Sequence, residues 1–205
     1  KLIEEKKVKK EKPLPKITEY DKPFALPDGW EWCRIGNLTT IKGGKRLPKG
    51  YNFLDTETDH IYIRVADMKD GTISSSKLKY ITNDTYKLIK NYTISKDDLY
   101  ITIAGTIGDV GVIPEKFDNM NLTENAAKLI IYNINKIFLK NILMSKFCQS
   151  QFSEKVNKMA QPKLALHRIS STIIPLPPVE EQKAIVNIVD TLMTECDALE
   201  NNIEQ

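Results

Sequence analysis

The chain has 205 residues, 41% of them hydrophobic and 28% charged, with a formal net charge of +3 and an isoelectric point near 8.6. That suffices for one domain with a real core plus an extension, and the mild positive charge permits nucleic acid as a partner without demanding it. No apolar run reaches membrane-span length and no signal peptide is visible; three scattered cysteines (Cys33, Cys148, Cys196) indicate neither a disulfide framework nor a zinc site, and point to a reducing cytoplasm.

Lys1–Lys12 is dense in lysine and reads as the end of a preceding helix or as a basic arm; the chain as a whole reads as part of a longer polypeptide. Pro13, Pro15 and Pro23 predict an extended linker as far as Leu26. The globular body is expected over residues 26–178, after an arm and linker over 1–25. It opens on a Pro27-Asp28-Gly29 turn, with Trp30 and Trp32 on one side of an extended segment as lids of the core. Leu38–Ile41 then enters a loop, Lys42–Gly50, with four positive charges (Lys42, Lys45, Arg46, Lys49) and no negative one. Basic residues interleaved with glycine, followed by Tyr51 and Phe53, suit phosphates and base edges; a flexible solvated loop is the competing reading.

His60–Asp67 alternates strictly, with Ile61, Ile63 and Val65 on one face and Tyr62 and Arg64 on the other, and predicts a half-buried strand with Arg64 projecting outward. Leu78–Ile81 reads as a strand, Asp84–Lys90 as a short helix capped by Asn83 or Asp84, and Asp98–Ile103 as a third strand. Ala104–Gly111 carries three glycines three apart. A phosphate-binding loop would open a helix, but here strand-like residues follow, so a glycine hairpin with a free tip is expected. A polar turn from Asn121 leads to a buried strand ending near Tyr132. Asn133 or Asn135 then caps a helical hairpin or a long bent helix through about Lys158, and a helical turn or loop follows over Gln161–Ile169.

Ile173–Leu176 is strand-like, and Pro175, Pro177 and Pro178 delay any helix. From Val179 the apolar positions Ile185, Val189, Leu192, Cys196, Leu199 and Ile203 are spaced 4, 3, 4, 3, 4, a heptad seam. A surface helix packing on its own domain accounts for the first two turns; a second long helix paired along the seam accounts for the rest.

Catalytic and metal-binding sets are missing. His60 and His167 stand in no ligand spacing, and no P-loop, dinucleotide fingerprint or methyltransferase motif is present. A binding module is therefore expected rather than an enzyme.

Five blocks carry a family resemblance: Leu26–Leu38 (LPDGWEWCRIGNL), Tyr62–Asp67 (YIRVAD), Asp98–Gly108 (DLYITIAGTIG), Gln161–Leu164 (QPKL) and Ile174–Val186 (IPLPPVEEQKAIV). The chain resembles the DNA specificity subunit of type I restriction–modification systems. The resemblance implies an α+β target recognition domain with a mixed or antiparallel sheet and flanking helices, followed over 179–205 by a long coiled-coil spacer helix. It implies sequence-specific reading of one half of a split double-stranded DNA target. It also implies pairing with a second specificity half or a second copy, and docking of methyltransferase and restriction–motor subunits. S-adenosylmethionine, ATP and magnesium would belong to those partners, with no cofactor or metal in this chain. Lys42, Lys45, Arg46 and Lys49 are the first candidates for DNA contact; Arg64, Thr106, Thr123, Asn125 and Gln161 are the second. Two alternatives stand: the recognition portion of a fused restriction–methylation enzyme, and a scaffold whose basic loops bind an acidic protein.

Overall fold

A computed structural model describes residues 13–154 and 162–203. The predicted basic arm at Lys1–Lys12 lies outside the described residues. The linker is largely extended, with one 3-10 turn at Glu19–Asp21. It is held to the body by Arg34, whose Nε donates to the Pro15 carbonyl at 2.8 Å and whose Nη1 donates to Ser171 O at 2.6 Å.

The body begins with strand β1 (Glu31–Arg34), a single helical turn α1 (Ile35–Leu38) and strand β2 (Thr39–Gly43). Lys42 and Gly43 thus extend a strand instead of opening the expected loop, because β2 stays paired as far as Gly43. Strand β3 is only Tyr62–Ile63. The alternating strand expected over His60–Asp67 is cut short: the Asp67 carboxylate accepts from the Arg64 backbone N–H at 2.9 Å and curls Val65–Asp67 into a 3-10 turn. Tyr62 is buried, not outward-facing. A tight hairpin, β4 (Met68–Lys69) and β5 (Thr72–Ile73), follows.

The strand expected at Leu78–Ile81 is reduced to isolated bridges of Tyr80 with Leu54 and Ile61. Helix α2 (Asn83–Ile89) starts one residue earlier than expected, because Thr82 is its N-cap and accepts from Thr85 N. Strands β6 (Thr93–Ile94), β7 (Leu99–Thr102) and β8 (Val110–Val112) come next, with the expected glycine hairpin between the last two. Strands β9 (Met120–Leu122) and β10 (Ala126–Ile131) precede helices α3 (Lys136–Met144) and α4 (Lys146–Glu154). Asn135 caps α3, accepting from Ile137 N at 2.9 Å and Phe138 N at 3.0 Å. An extended Ser145 separates the two helices, so the helical hairpin is the alternative realised. Helix α5 (Leu166–Ser170), strand β11 (Ile173–Leu176) and helix α6 (Val179–Ile203) complete the chain.

The central sheet runs β2-β10-β7-β8, antiparallel throughout. Both its faces are covered. Leu99, Ile101, Ala127 and Leu129 pack with Leu139, Leu143 and Phe152 of α3 and α4. Tyr100 and Ala126 face the other way, into a cluster with Ile63, Ile94, Phe117 and Leu122. That second cluster carries the sheet β3-β9-β6, in which β3 and β9 are parallel. The fold is therefore α+β with a mixed set of sheets.

Strands β1 and β11 pair antiparallel, from Glu31 opposite Leu176 to Arg34 opposite Ile173. This ties the first strand of the body to the segment that launches α6. Trp30 and Trp32 are half-buried and line one recess. The Trp30 indole donates to Glu181 at 2.9 Å, and Trp32 packs edge-on against Phe24. Gln182, 2% exposed, fixes the start of α6. Its Oε1 accepts from Asn135 N and its Nε2 donates to Pro177 O, both at 2.9 Å. A buried amide with both ends paired defines one angle for the helix to leave the body.

Beyond Val189 the described part of α6 has no neighbour. Val186 is buried and Ile185 and Val189 half-buried, whereas Leu192, Cys196 and Leu199 are exposed, Leu199 by 62%. The side chain of Ile203 lies outside the described residues. Twenty-five residues make α6 about 37 Å long. Among the described residues, no helix is long and apolar enough to cross a membrane.

Candidate nucleic-acid interface

Four of the predicted site residues meet in one cleft of about 520 Å³: Arg46, Arg64, Thr123 and Asn125. They come from the loop after β2, the turn after β3 and the β9–β10 turn. Gly44 brings the first and last of these together. Its N–H donates to Ala126 O at 3.0 Å, and Lys45 N donates to Leu122 O at 2.9 Å. A Cβ at Gly44 would overlap the carbonyl oxygens of Leu122 and Thr123, so only glycine allows this approach.

The β9–β10 turn is pinned on several sides. Thr123 N donates to Ile63 O at 3.0 Å, and the Asn125 carbonyl accepts from Ile103 N at 2.8 Å. Lys163 Nζ donates to Glu124 O at 3.1 Å. Tyr62 stands beneath this turn, with its hydroxyl 2.7 Å from Lys45 O and 3.4 Å from Glu124 Oε2. The shorter contact takes the phenol proton. Burial is the main reason that the Tyr62 hydroxyl is pushed up to about 12, so it remains a neutral donor.

Glu124 was not singled out in the sequence, yet it organises the cleft. Its Oε1 accepts from Arg46 Nε at 2.7 Å and its Oε2 from Thr123 Oγ1 at 3.1 Å. Burial pushes its carboxyl up, but the hydrogen bonds from Arg46, its own backbone and Thr123 prevail and hold it below the usual range. Arg64 is also tethered: Nη2 lies 2.6 Å from Asp67 Oδ1 and 2.6 Å from Lys77 O. Tyr51, Asn52 and Phe53 form the outer wall. Tyr51 and Phe53 are both 41% exposed.

The remaining described candidates do not line this cleft. Lys42, with Tyr92 and Lys128, lines a smaller recess of about 250 Å³. Lys45 is exposed, with Nζ 5.5 Å from the Tyr92 ring centre. Lys49 is exposed in the Pro48–Tyr51 turn, where Gly50 takes a φ of 89°. Thr106 is exposed at the β7–β8 tip, beside Gly105, where a Cβ would touch Val65 of the cleft at 3.7 Å. Gln161 lies outside the described residues. On the far side of Arg64, the cleft adjoins a recess of about 560 Å³ lined in part by Lys69, Lys77 and Lys79. These three lysines do not stand out in the sequence, because Lys69 lies next to Asp70 and Lys77 and Lys79 alternate with Leu78 after a run of serines, so they form no compact basic run. Among the described residues, no group of three or more His, Cys, Asp or Glu could hold a metal ion.

Residues 27–205 match the family described as the type I restriction modification DNA specificity domain. The chain belongs to that family. It is 30% identical over 204 residues to the EcoAI type I restriction enzyme specificity subunit of Escherichia coli, covering 97% of this chain and 34% of that protein. Two solved structures share the fold. A chain from work on complex assembly and conformational transition of the type I R-M system superposes with a TM-score of 0.70 at 20% identity, over 88% of this chain and 42% of that one. The HsdS subunit from Thermoanaerobacter tengcongensis gives 0.65 at 22% identity, over 88% and 41%. The chain thus spans about a third of the EcoAI subunit and under half of either solved chain. In this specificity-domain chain, two of the five blocks that carry the resemblance fall on structural joints: Leu26–Leu38 on β1 and α1, and Ile174–Val186 on β11 and the buried start of α6.

Proposed function

We propose that this chain reads one half of a split double-stranded DNA target within a type I restriction–modification complex. Residues 26–178 act as the target recognition domain, and 179–205 as the spacer helix. The observation that carries this reading is the cleft itself. Arg46, Arg64, Thr123 and Asn125 converge there, and exposed Lys42, Lys45 and Lys49 lie on the same β2 segment and loop. Lysines that neutralise phosphates set affinity and register, while a fork of N–H donors distinguishes bases.

In this reading the chain does no chemistry. Methyltransferase subunits and a restriction–motor subunit assemble on it in the cytoplasm, and S-adenosylmethionine, ATP and magnesium act on them. Helix α6 pairs with its counterpart from a second specificity half or a second copy, and the pair fixes the spacing of the two half-targets. Support for the pairing is the exposed Leu192 and Leu199 on one heptad stripe.

The test is DNA binding by the specificity polypeptide assembled with its methyltransferase subunits. Lys45→Ala and Lys49→Ala should weaken binding to all sequences and each lower the salt dependence by roughly one counterion. Unchanged affinity after alanine at Lys42, Lys45, Arg46 and Lys49 together would remove this loop from the interface.

A further inference from the structure

The Arg46–Glu124 pair is poorly explained by stability. Arg46 keeps 79% of its side chain exposed, and an ion pair that open to water holds a fold together weakly. A carboxylate facing DNA phosphates also opposes binding through like-charge repulsion. Yet Glu124 is held firmly, and far less exposed than its partner, with 23% of its side chain open to solvent. Thr123 holds its carboxylate, Lys163 its carbonyl, and the turn that carries it is bonded to Ile63 and Ile103. The pair spans 78 residues of sequence, and its close approach requires Gly44.

Geometry gives the pair a use. Glu124 takes only the Nε edge of the guanidinium. The Nη1–Nη2 edge is left as a free, oriented fork, the arrangement that donates twice to O6 and N7 of guanine in the major groove. The carboxylate that holds the fork is itself tied to a rigid turn, so the fork is ordered before DNA arrives and less freedom is lost on binding. We infer that Glu124 is a positioning residue for specificity: it aims Arg46 at one guanine of the target, and it lowers affinity for DNA that lacks this guanine. Arg46 reads the base. Glu124 restrains Arg46 from serving as a general phosphate contact, because a guanidinium held at Nε cannot swing freely to the backbone. This inference rests on the DNA-reading role proposed above.

The experiment is selection from a randomised duplex library by the specificity polypeptide assembled with its methyltransferase subunits. Alongside it, the affinity for one non-target duplex is titrated with salt. Arg46→Ala should flatten the preference at one base pair by about 10-fold or more, Glu124→Ala should flatten it at the same base pair by about threefold, and the double variant should be no flatter than Arg46→Ala. Non-target affinity should change little with Arg46→Ala but rise severalfold with Glu124→Ala, an increase that simple damage to the turn would not give. Glu124→Gln, whose amide oxygen still accepts from Nε, should retain the preference. If Glu124→Ala does not fold, Glu124→Ser, too short to reach Nε, takes its place: it should weaken the preference at the Arg46 position that Glu124→Gln keeps, and an unchanged preference overturns the inference. Preference at the Arg46 position unchanged in Glu124→Ala, or altered at a different base pair, overturns the inference. If Lys45→Ala and Lys49→Ala still weaken binding, only the inference fails; if they too have no effect, the DNA-reading role fails with it.

Discussion

At Glu124, burial and hydrogen bonding pull in opposite directions, and hydrogen bonding prevails. A carboxyl held below its ordinary value of 4.5 contributes stability above that value and loses it as the pH falls through its folded value. With Arg46 mostly exposed, the contribution is under about 1 kcal/mol. Urea midpoints of the wild type and Glu124→Gln should therefore differ slightly at about pH 7 and converge as the pH falls below the ordinary carboxylate range. A gap that stays constant or widens in acid would show that the carboxylate charge is not what holds the turn. The sequence exposed only part of this site. Lys45, Arg46 and Lys49 stand out as positive charges among glycines with no negative residue between them. Glu124 does not, because an acidic residue counts against a basic patch when partners 78 positions apart cannot be paired by eye. Its closest sequence cue was Gly44, whose requirement for a close backbone approach is clear once the turn opposite is known.

At the scale of elements, the readings that succeeded rest on local chemistry. Asp98–Ile103 and the run into Tyr132 form strands β7 and β10, and the glycine hairpin closes as expected. The alternating pattern over His60–Asp67 misled, because an aspartate three residues after Arg64 caps a turn there; alternation reports side-chain polarity but not a competing backbone hydrogen bond. Helix α6 shows both regimes in one element. Its first turns satisfy Gln182, Ile185 and Val186 against the body, and the remaining stripe has no intramolecular partner among the described residues. Leu192→Glu and Leu199→Glu should leave the thermal midpoint of the body nearly unchanged, since neither side chain packs on it. They should abolish any self-association detected by light scattering. A wild-type chain that is monomeric at high concentration would rule out self-pairing and leave a second specificity half as the partner.

The whole molecule is organised by contacts that periodicity does not encode. Pairing of β1 with β11, the order β2-β10-β7-β8, and the parallel step between β3 and β9 all join segments far apart in sequence. What was legible at this scale was the family, since the Ile174–Val186 block sits where strand, proline turn and buried Gln182 together set the departure of α6. The molecule then consists of a body with a cleft that holds Arg46 and Arg64 and a long helix whose start is fixed by Gln182, an arrangement that suits the proposed reading of a split target. The most direct test is methylome sequencing of the source organism with the gene intact and with it deleted. The account predicts a split motif that is methylated only when the gene is present. An identical methylation pattern in the two strains would contradict it.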